Sequence, residues 1–96
     1  MFDIRQAQDG VIRLSGRFDA SQVQRAQVVF DALLTSCVVD FADLEYISSA
    51  GLGVLLATQK RLSDAGASLK LKNMRKLVRD VFKYSRLDRI FEIEGG

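Results

Sequence analysis

A short apolar run from Cys37 to Ala42 leads through residues 43–47 to two serines that open a second apolar segment. The run is too short and too uniformly apolar for a surface helix, which predicts a strand buried on both faces and central in its sheet. From Ser49 onward, leucines recur at helical spacing up to Gly66, a residue type that often ends helices. A buried strand followed directly by a helix is typical of α/β folds.

Short runs of strand and helix character fill the rest of the chain. Strand-like runs at 2–5 and 11–15 flank Asp9-Gly10, a pair suited to the positive-φ turn of a β-hairpin, and this predicts two antiparallel strands. The later segments predict, in order, a helix over 21–35, a strand over 69–72, a helix over 74–85 and a final strand over 90–93.

Apolar residues at helical spacing define the faces of the predicted helices that should pack on the sheet. These residues are Val23, Ala26, Phe30, Leu33, Leu34, Leu52, Leu55, Leu56, Leu62, Met74, Leu77, Val78, Val81 and Phe82. Strands that alternate with helices across short connections predict a single α/β domain over residues 1–96. Its sheet should be mixed and mostly parallel, with the N-terminal antiparallel hairpin at one edge and the helices packed against it.

Composition excludes several classes of protein. Hydrophobic residues at 48% and charged residues at 27% match an ordinary globular domain, and a net charge of +2 gives little reason to expect direct nucleic-acid binding. The single cysteine, Cys37, is expected in the core of a protein from a reducing compartment. The chain shows no leader pattern and no run of about 18 apolar residues, so we expect a cytoplasmic protein without a membrane segment.

The Ser48-Ser49 junction is the first candidate site. A helix start presents unpaired N–H groups and the positive end of the helix dipole, which together stabilise a phosphate. Ser49 is therefore a candidate phosphorylation switch, although either serine is also a good N-cap residue. The small residues that follow, Ala50, Gly51 and Gly53, suit the close approach of a partner or close packing of the helix on the strand.

Two carboxylates are further candidates. Functional groups of open α/β sheets gather where strands end and helices begin, so Asp19, the last residue of a predicted turn over 16–19, should share an edge with Ser49. Asp19 could instead cap the 21–35 helix, and Asp40 could bond to nearby backbone amides at the end of its strand. We expect no metal site, because histidine is absent and the carboxylates form no cluster with ligand spacing.

Catalysis is not predicted. A serine nucleophile needs an activating base, and the chain has no histidine. It also contains no Gly-x-Ser-x-Gly elbow and no glycine-rich phosphate loop, so neither an enzyme nor a nucleotide cofactor is expected.

A basic stripe marks the last predicted helix. It consists of Arg75, Arg79, Lys83 and Arg86, opposite the apolar residues of the same helix. Such a stripe indicates either a solvated face or a surface for an acidic partner.

Three blocks of the sequence resemble the STAS domain, the fold of bacterial anti-sigma factor antagonists and of the cytoplasmic tails of some sulfate transporters. They are residues 14–19 (Leu-Ser-Gly-Arg-Phe-Asp), residues 39–41 followed by residues 46–53 (Tyr-Ile-Ser-Ser-Ala-Gly-Leu-Gly), and the closing helix and strand. The middle block is the most specific. Family members usually have an aspartate before the acceptor serine and a serine or threonine after it, where this chain has Ser48 and Ala50.

The resemblance implies a switch between partners. Its phosphate acceptor would be Ser49, with Ser48 as the alternative, and no residue would be catalytic. The partner-binding surface implied by the family comprises Asp19, Ser48, Ser49, Ala50, Gly51, Leu52 and Gly53. Unphosphorylated protein would bind an anti-sigma factor that is also a serine kinase, phosphorylated protein would be released, and a serine phosphatase of the PP2C type would restore it.

Two other functions fit the same residues. One is a STAS scaffold subunit that docks permanently on a transporter or another regulatory complex without reversible phosphorylation. The other is a sensor that binds a small ligand or nucleotide at the same edge and would be detected as a ligand-dependent shift in melting temperature.

Overall fold

A computed structural model describes residues 1–94. Its strands are β1 (Asp3–Gln6), β2 (Ile12–Phe18), β3 (Cys37–Ile47), β4 (Leu69–Lys72) and β5 (Glu92–Glu94). Its helices are α1 (Val23–Asp31), α2 (Ser49–Asp64) and α3 (Lys76–Tyr84), and short 3-10 helices lie at Ala20–Gln22 and Leu87–Arg89. Strands and helices therefore alternate along the chain as predicted.

The five strands form one mixed sheet in the order β1-β2-β3-β4-β5. β1 and β2 pair antiparallel around the turn at Gly10, and each later pair is parallel. The predicted α/β class, the N-terminal antiparallel hairpin at one edge and the central position of β3 are all confirmed. The second helix begins at Ser49, as the sequence indicated.

Within residues 1–94, the hydrophobic core lies on one face of the sheet, so the prediction that the central strand is buried on both faces is wrong. In the first half of β3, Val39 and Phe41 are fully buried, whereas Val38 and Asp40 on the other face are only half-buried. The same alternation occurs in β2 and β4. The apolar run at 37–42 resembles a doubly covered strand because Val38 and Ala42, which lie outside the core, are themselves apolar.

β3 is longer than predicted because it contains two irregularities. It continues to Ile47, and its pairing with β2 shifts register once between Arg13 and Ser15 and again between Gly16 and Arg17. Each shift inserts an extra residue into β3, as in a β-bulge. As a result the core-facing positions after Phe41 are Leu44 and Ile47, at a spacing of three rather than two.

Gly16 belongs to β2 and not to a turn, which corrects the expectation of a turn over 16–19. Its φ angle of +81° lies in the left-handed region that favours glycine. A Cβ atom at this position would overlap the Met1 carbonyl group. Gly16 is therefore required both by its conformation and by the close approach of the N-terminal segment.

The helices bury one face each against the sheet, in a single cluster with the strands. α1 contributes Ala26 and Phe30, and α3 contributes Val78 and Phe82, whose ring meets that of Phe41 edge to face at a centroid distance of 6.0 Å. Three predicted core residues are exposed instead: Leu34, Leu56 and Leu77. Leu34 lies beyond the end of α1. Leu56 and Leu77 lie on α2 and α3 next to the core-facing side of each helix, which includes Val54 and Thr58 on α2 and Val78 on α3.

Candidate functional site

The candidate site lies where β2 and β3 end side by side. Phe18 pairs with Ile47 in the parallel register, so Asp19 and Ser48 follow directly from adjacent strand ends. The Ser48 backbone N–H donates a hydrogen bond of 2.9 Å to the Phe18 carbonyl oxygen, and this bond connects the ends of β2 and β3. The structure therefore brings Asp19, Ser48 and Ser49 to one edge of the sheet, and we call this edge the switch rim.

Ser48 is the N-cap residue of α2. Its backbone is extended, with φ −90° and ψ 171°, and its hydroxyl oxygen accepts a hydrogen bond of 3.2 Å from the Gly51 N–H. Its carbonyl oxygen accepts the first bond of the helix, 2.9 Å from the Leu52 nitrogen. Ser48 thus satisfies one of the N–H groups that a helix start leaves unpaired, and the half-buried side chain is engaged in the fold.

Ser49, the first residue of α2, is exposed. Within residues 1–94, its hydroxyl group makes no hydrogen bond, and the backbone N–H groups of Ser49 and Ala50 have no acceptor. The first turn of α2 also contains no acidic side chain to balance the positive end of the helix dipole. This combination leaves a free hydroxyl beside unpaired donors at a position that favours negative charge.

The next residues of α2 divide between the core and the surface. Gly51 and Leu52 are buried, and a Cβ on Gly51 would lie 2.9 Å from the Ile47 Cγ1 atom and 3.1 Å from the Phe18 carbonyl oxygen. Gly53 is exposed, and a Cβ there would have no other atom within 4 Å. The surface at the switch rim is therefore formed by Ser49, by Gly53 and in part by Ala50, with Gly51 and Leu52 beneath it.

Asp19 is the N-cap residue of the short 3-10 helix that precedes α1. Its Oδ1 atom accepts hydrogen bonds from the Ser21 hydroxyl, at 2.6 Å, and from the Ser21 backbone nitrogen, at 3.0 Å. The bond from the Ser21 hydroxyl is the main cause that lowers the pKa of Asp19, and the positive charge of Arg17 contributes in the same direction. Asp19 therefore combines a structural cap with a negative charge at the switch rim.

Asp40 does not belong to the switch rim. β3 continues for seven residues past it, so it is not at a strand end as expected. It lies on the open face of the sheet, where its Oδ1 atom accepts hydrogen bonds from the Ala42 backbone nitrogen, at 2.9 Å, and from the Asn73 side chain, at 3.2 Å. The Arg13 guanidinium lies 3.8 Å from its other oxygen. These bonds support the structural interpretation of Asp40.

Cys37 lies at the opposite end of β3 from the switch rim. Its buried thiol donates a hydrogen bond to the Gly10 carbonyl oxygen at 3.3 Å, and burial raises the pKa of the thiol. A neutral, enclosed thiol is a poor nucleophile, in keeping with the predicted core position.

Arg17 and Tyr46 form a pair that sequence analysis did not identify. The Arg17 guanidinium carbon lies 4.4 Å from the centre of the Tyr46 ring, a cation–π contact, and the pair lies one register step before Phe18 and Ile47. It places a positive charge next to the switch rim. The sequence contains both residues, but their pairing depends on the second bulge of β3, which residue patterns did not reveal.

Residues 1–94 contain neither a membrane-spanning helix nor a metal-binding cluster. No helix there is long and apolar enough to cross a membrane. The same residues contain no group of three or more histidine, cysteine, aspartate or glutamate side chains placed to hold a metal ion.

Comparison with known proteins identifies the family. The family model described as "Mlab, STAS domain" matches residues 2–93. BtrV of Bordetella bronchiseptica, which is named as an anti-sigma factor antagonist, is 41% identical over 59 residues, and these make up 62% of this chain and 51% of BtrV. The alignment thus spans about half of the length of this relative.

Solved structures share the complete fold. A Thermotoga maritima protein named as an anti-sigma factor antagonist has a TM-score of 0.81 at 26% identity, covering 100% of this chain and 87% of its own. The Bacillus cell fate determinant SpoIIAA in its phosphorylated form has a TM-score of 0.70 at 19% identity, covering 99% and 92%. With the family model matched over residues 2–93, the chain belongs to the STAS domain family.

Proposed function

We propose that this protein is an anti-sigma factor antagonist controlled by phosphorylation of Ser49. Unphosphorylated protein binds an anti-sigma factor that is also a serine kinase, and this partner then releases its sigma factor. Phosphorylated protein leaves the partner until a phosphatase of the PP2C type removes the phosphate. This cycle operates in the cytoplasm and requires no catalysis by the protein itself, which acts as a single STAS domain over residues 1–96.

The different environments of Ser48 and Ser49 are the observation that carries the proposal. Ser48 is bound to Phe18 and Gly51 and completes the helix cap, whereas the Ser49 hydroxyl is exposed and has no hydrogen-bond partner within residues 1–94. A kinase can reach the Ser49 hydroxyl without breaking a contact of the fold. Modification of Ser48 would require the cap to open, so Ser49 is the preferred acceptor.

Electrostatics at the start of α2 suit a reversible switch. A phosphate on Ser49 adds about 1.5 to 2 negative charges beside the unpaired N–H groups and the positive end of the helix dipole, so the folded domain tolerates it. A partner that covers Ser49 would instead have to bury that charge, at a cost on the order of a few kcal/mol unless it supplies a matched cation. The modification therefore changes the surface while leaving the fold in place.

The shape of the first turn of α2 supports close contact with a partner. Gly53 is exposed and has open space where a side chain would lie, and Ala50 adds only a methyl group. Asp19 lies at the same edge and offers a carboxylate to a basic group of the kinase. In this proposal Asp19, Ser48, Ser49, Ala50 and Gly53 form the contact surface, and the buried Gly51 and Leu52 position it.

The relatives support this proposal at the level of the family. BtrV and the Thermotoga maritima protein are both named as anti-sigma factor antagonists. SpoIIAA is known in a phosphorylated form, so the shared fold can carry a phosphate in at least one protein.

A second candidate is a permanent scaffold subunit of a transporter or other complex. The family model that matches residues 2–93 favours this alternative, because its description, "Mlab, STAS domain", names no antagonist. The same switch rim would serve as the docking surface, but phosphorylation would have no role.

The experiment that separates these functions uses four folded proteins as baits in lysate of the native cells: wild type, Ser49→Ala, Ser49→Asp and the control Ser48→Ala. Mass spectrometry would identify the captured proteins. We expect a serine kinase with wild type, Ser49→Ala and Ser48→Ala, and at least about tenfold less with Ser49→Asp, which corresponds to ~1.4 kcal/mol.

The captured kinase would then be incubated with ATP and the wild-type protein, and the phosphate located by fragmentation of the peptide that contains both serines. Phosphate on Ser49 is expected. Equal capture of a transporter protein by all four baits would instead establish the scaffold, and phosphate on Ser48 alone would refute the assignment of the acceptor.

A further inference from the structure

The segment from Arg75 to Ile90, which comprises α3 and the 3-10 helix after it, is the most basic part of the chain. It contains six basic residues, at positions 75, 76, 79, 83, 86 and 89, and two acidic ones, at positions 80 and 88, for a net charge of +4. The whole chain carries +2, so the rest of the chain carries −2. Charge is therefore polarised, and we call this segment the basic surface.

Within residues 1–94, most of these cations form no ion pair. Lys76 forms an ion pair with Asp80 at 2.8 Å, and the Arg75 side chain donates to the Ala42 carbonyl oxygen at 2.9 Å. Over residues 1–94, the exposed side chains at positions 79, 83, 86 and 89 make neither an ion pair nor a side-chain hydrogen bond. Four cations without a bonded partner in the described part of the chain are thus available to an external partner.

The basic surface also exposes large apolar side chains. Leu77 is 60% exposed, Tyr84 is 84% exposed and Ile90 is 48% exposed. Leu77 and Tyr84 are seven residues apart on α3, so they lie on the same face with the half-buried Val81 between them. The apolar row therefore lies along one margin of the exposed side of α3 and Arg79 and Lys83 lie along the other, so a protein partner that covers this side would contact both.

Arg86 provides an independent observation. It follows the C-terminus of α3 with φ 63° and ψ 16°, in the left-handed region where glycine is the usual residue. A non-glycine residue is strained in this conformation, and within residues 1–94 the Arg86 side chain makes no ion pair or hydrogen bond that offsets the strain. The fold alone gives no reason for an arginine at this position.

We propose that the basic surface binds an acidic protein segment that carries apolar side chains. The net charge of +4 favours an acidic partner, and the exposed Leu77 and Tyr84, with the half-buried Val81 between them, favour apolar groups on it. An anionic membrane is disfavoured, because the main apolar stripe of α3, including Val78 and Phe82, is occupied by the core. This inference does not depend on phosphorylation of Ser49.

The test uses two fluorescein-labelled helical peptides with the same leucines at i, i+4 spacing, one with glutamate and one with lysine at all other positions. Fluorescence anisotropy would measure binding of the full chain to each peptide at low and high salt. We expect the glutamate peptide to bind at least about tenfold more tightly than the lysine peptide and to weaken as salt rises.

Variants locate the binding surface. The double variant Arg79→Glu/Lys83→Glu should weaken binding of the glutamate peptide by about tenfold or more, and Leu77→Ser should weaken it by roughly threefold. Lys60→Glu, which changes an exposed lysine on α2, is the matched control and should have little effect. Arg86→Gly should weaken binding while leaving the melting temperature equal or higher, because it removes the charge and relieves the backbone.

Three results would overturn the proposal. The first is equal affinity for the two peptides or no measurable binding to either. The second is a loss with Lys60→Glu as large as with the double variant. The third is binding to phosphatidylserine vesicles, and not to the glutamate peptide, with the same dependence on Arg79 and Lys83, which would identify a membrane surface instead.

Discussion

The inner and outer sides of the first turns of α2 use the same residue type for different reasons. Gly51, on the inner side, is enclosed by Ile47 and Phe18, so a Cβ atom has no room. Gly53, two residues later on the outer side, has open space around it. A glycine in a helix costs about 0.5–1 kcal/mol relative to alanine, and packing explains that cost only for Gly51. The exposed Gly53 instead fits a surface that a binding partner must approach closely.

The largest expected effect is on the inner side. Gly51→Ala should destabilise the domain by about 1–2 kcal/mol, because overpacking of 1–3 kcal/mol against buried side chains outweighs the gain in helix propensity. Urea denaturation followed by circular dichroism would measure the change. An unchanged unfolding midpoint would show that Ile47 and Phe18 can move aside, and the contrast between the two glycines would disappear.

The two serines extend the contrast to hydrogen bonding. Ser48→Ala removes the bond to the Gly51 N–H and should destabilise the domain by about 1 kcal/mol. Ser49→Ala removes no hydrogen bond within residues 1–94 and should change stability by less than about 0.5 kcal/mol. Parallel urea titrations of both variants would test this. A larger loss for Ser49→Ala would reverse the assignment of cap and free hydroxyl.

On the outer side a substitution should have the opposite sign. Gly53→Ala should stabilise the domain by about 0.5–1 kcal/mol, since alanine is the better helix former and nothing obstructs its Cβ. If the outer side contacts a partner, the same variant should bind that partner less tightly. Thermal unfolding and a binding titration with the captured kinase would be measured together, and a gain in stability with unchanged affinity would exclude close contact at Gly53.

The smallest effect concerns Asp19, at the margin of the outer side. The Ser21 hydrogen bond lowers its pKa below the usual 3.8, so folding favours the charged form. Its contribution to stability is present above pH 3.8 and is lost as the pH falls through the lower pKa of the folded state. Asp19→Asn retains a capping side chain but cannot titrate, and it should lose less stability than wild type when the pH is lowered from about 7 to about 3. Equal losses in the two proteins would show that the carboxylate contributes nothing.

Residue patterns predicted the order of elements because each depends on local chemistry. Asp9-Gly10 specified the hairpin turn, and the serines before Ala50 specified the start of α2. The predicted parallel order of the strands also placed Asp19 and Ser49 at one edge of the sheet. These features follow from turn preferences, helix caps and strand adjacency, which short stretches of sequence encode.

Other features depend on contacts between distant segments and could not be predicted. Leu77 has the helical spacing of a core residue, but the way α3 packs on the sheet leaves its side chain exposed to solvent. Residue type alone did not decide between Ser48 and Ser49 as the helix cap, although the family resemblance favoured Ser48; in the structure Ser48 is the cap, and its N–H is bonded to Phe18, 30 residues earlier in the chain. The open face of the sheet was missed because Val38 and Ala42, which lie outside the core, are themselves apolar.

The uneven lengths of β2 and β3 have a further consequence for variation in this protein. Between the Arg13–Asp40 pair and the Phe18–Ile47 pair, β2 advances by five residues while β3 advances by seven. The exposed Ala42 and Glu45 lie in this stretch. Their side chains are free to change, but deletion of either residue would turn the chain that follows and redirect Ser49. The residue types in this stretch of β3 can therefore change in evolution, whereas the number of residues between the two pairs cannot.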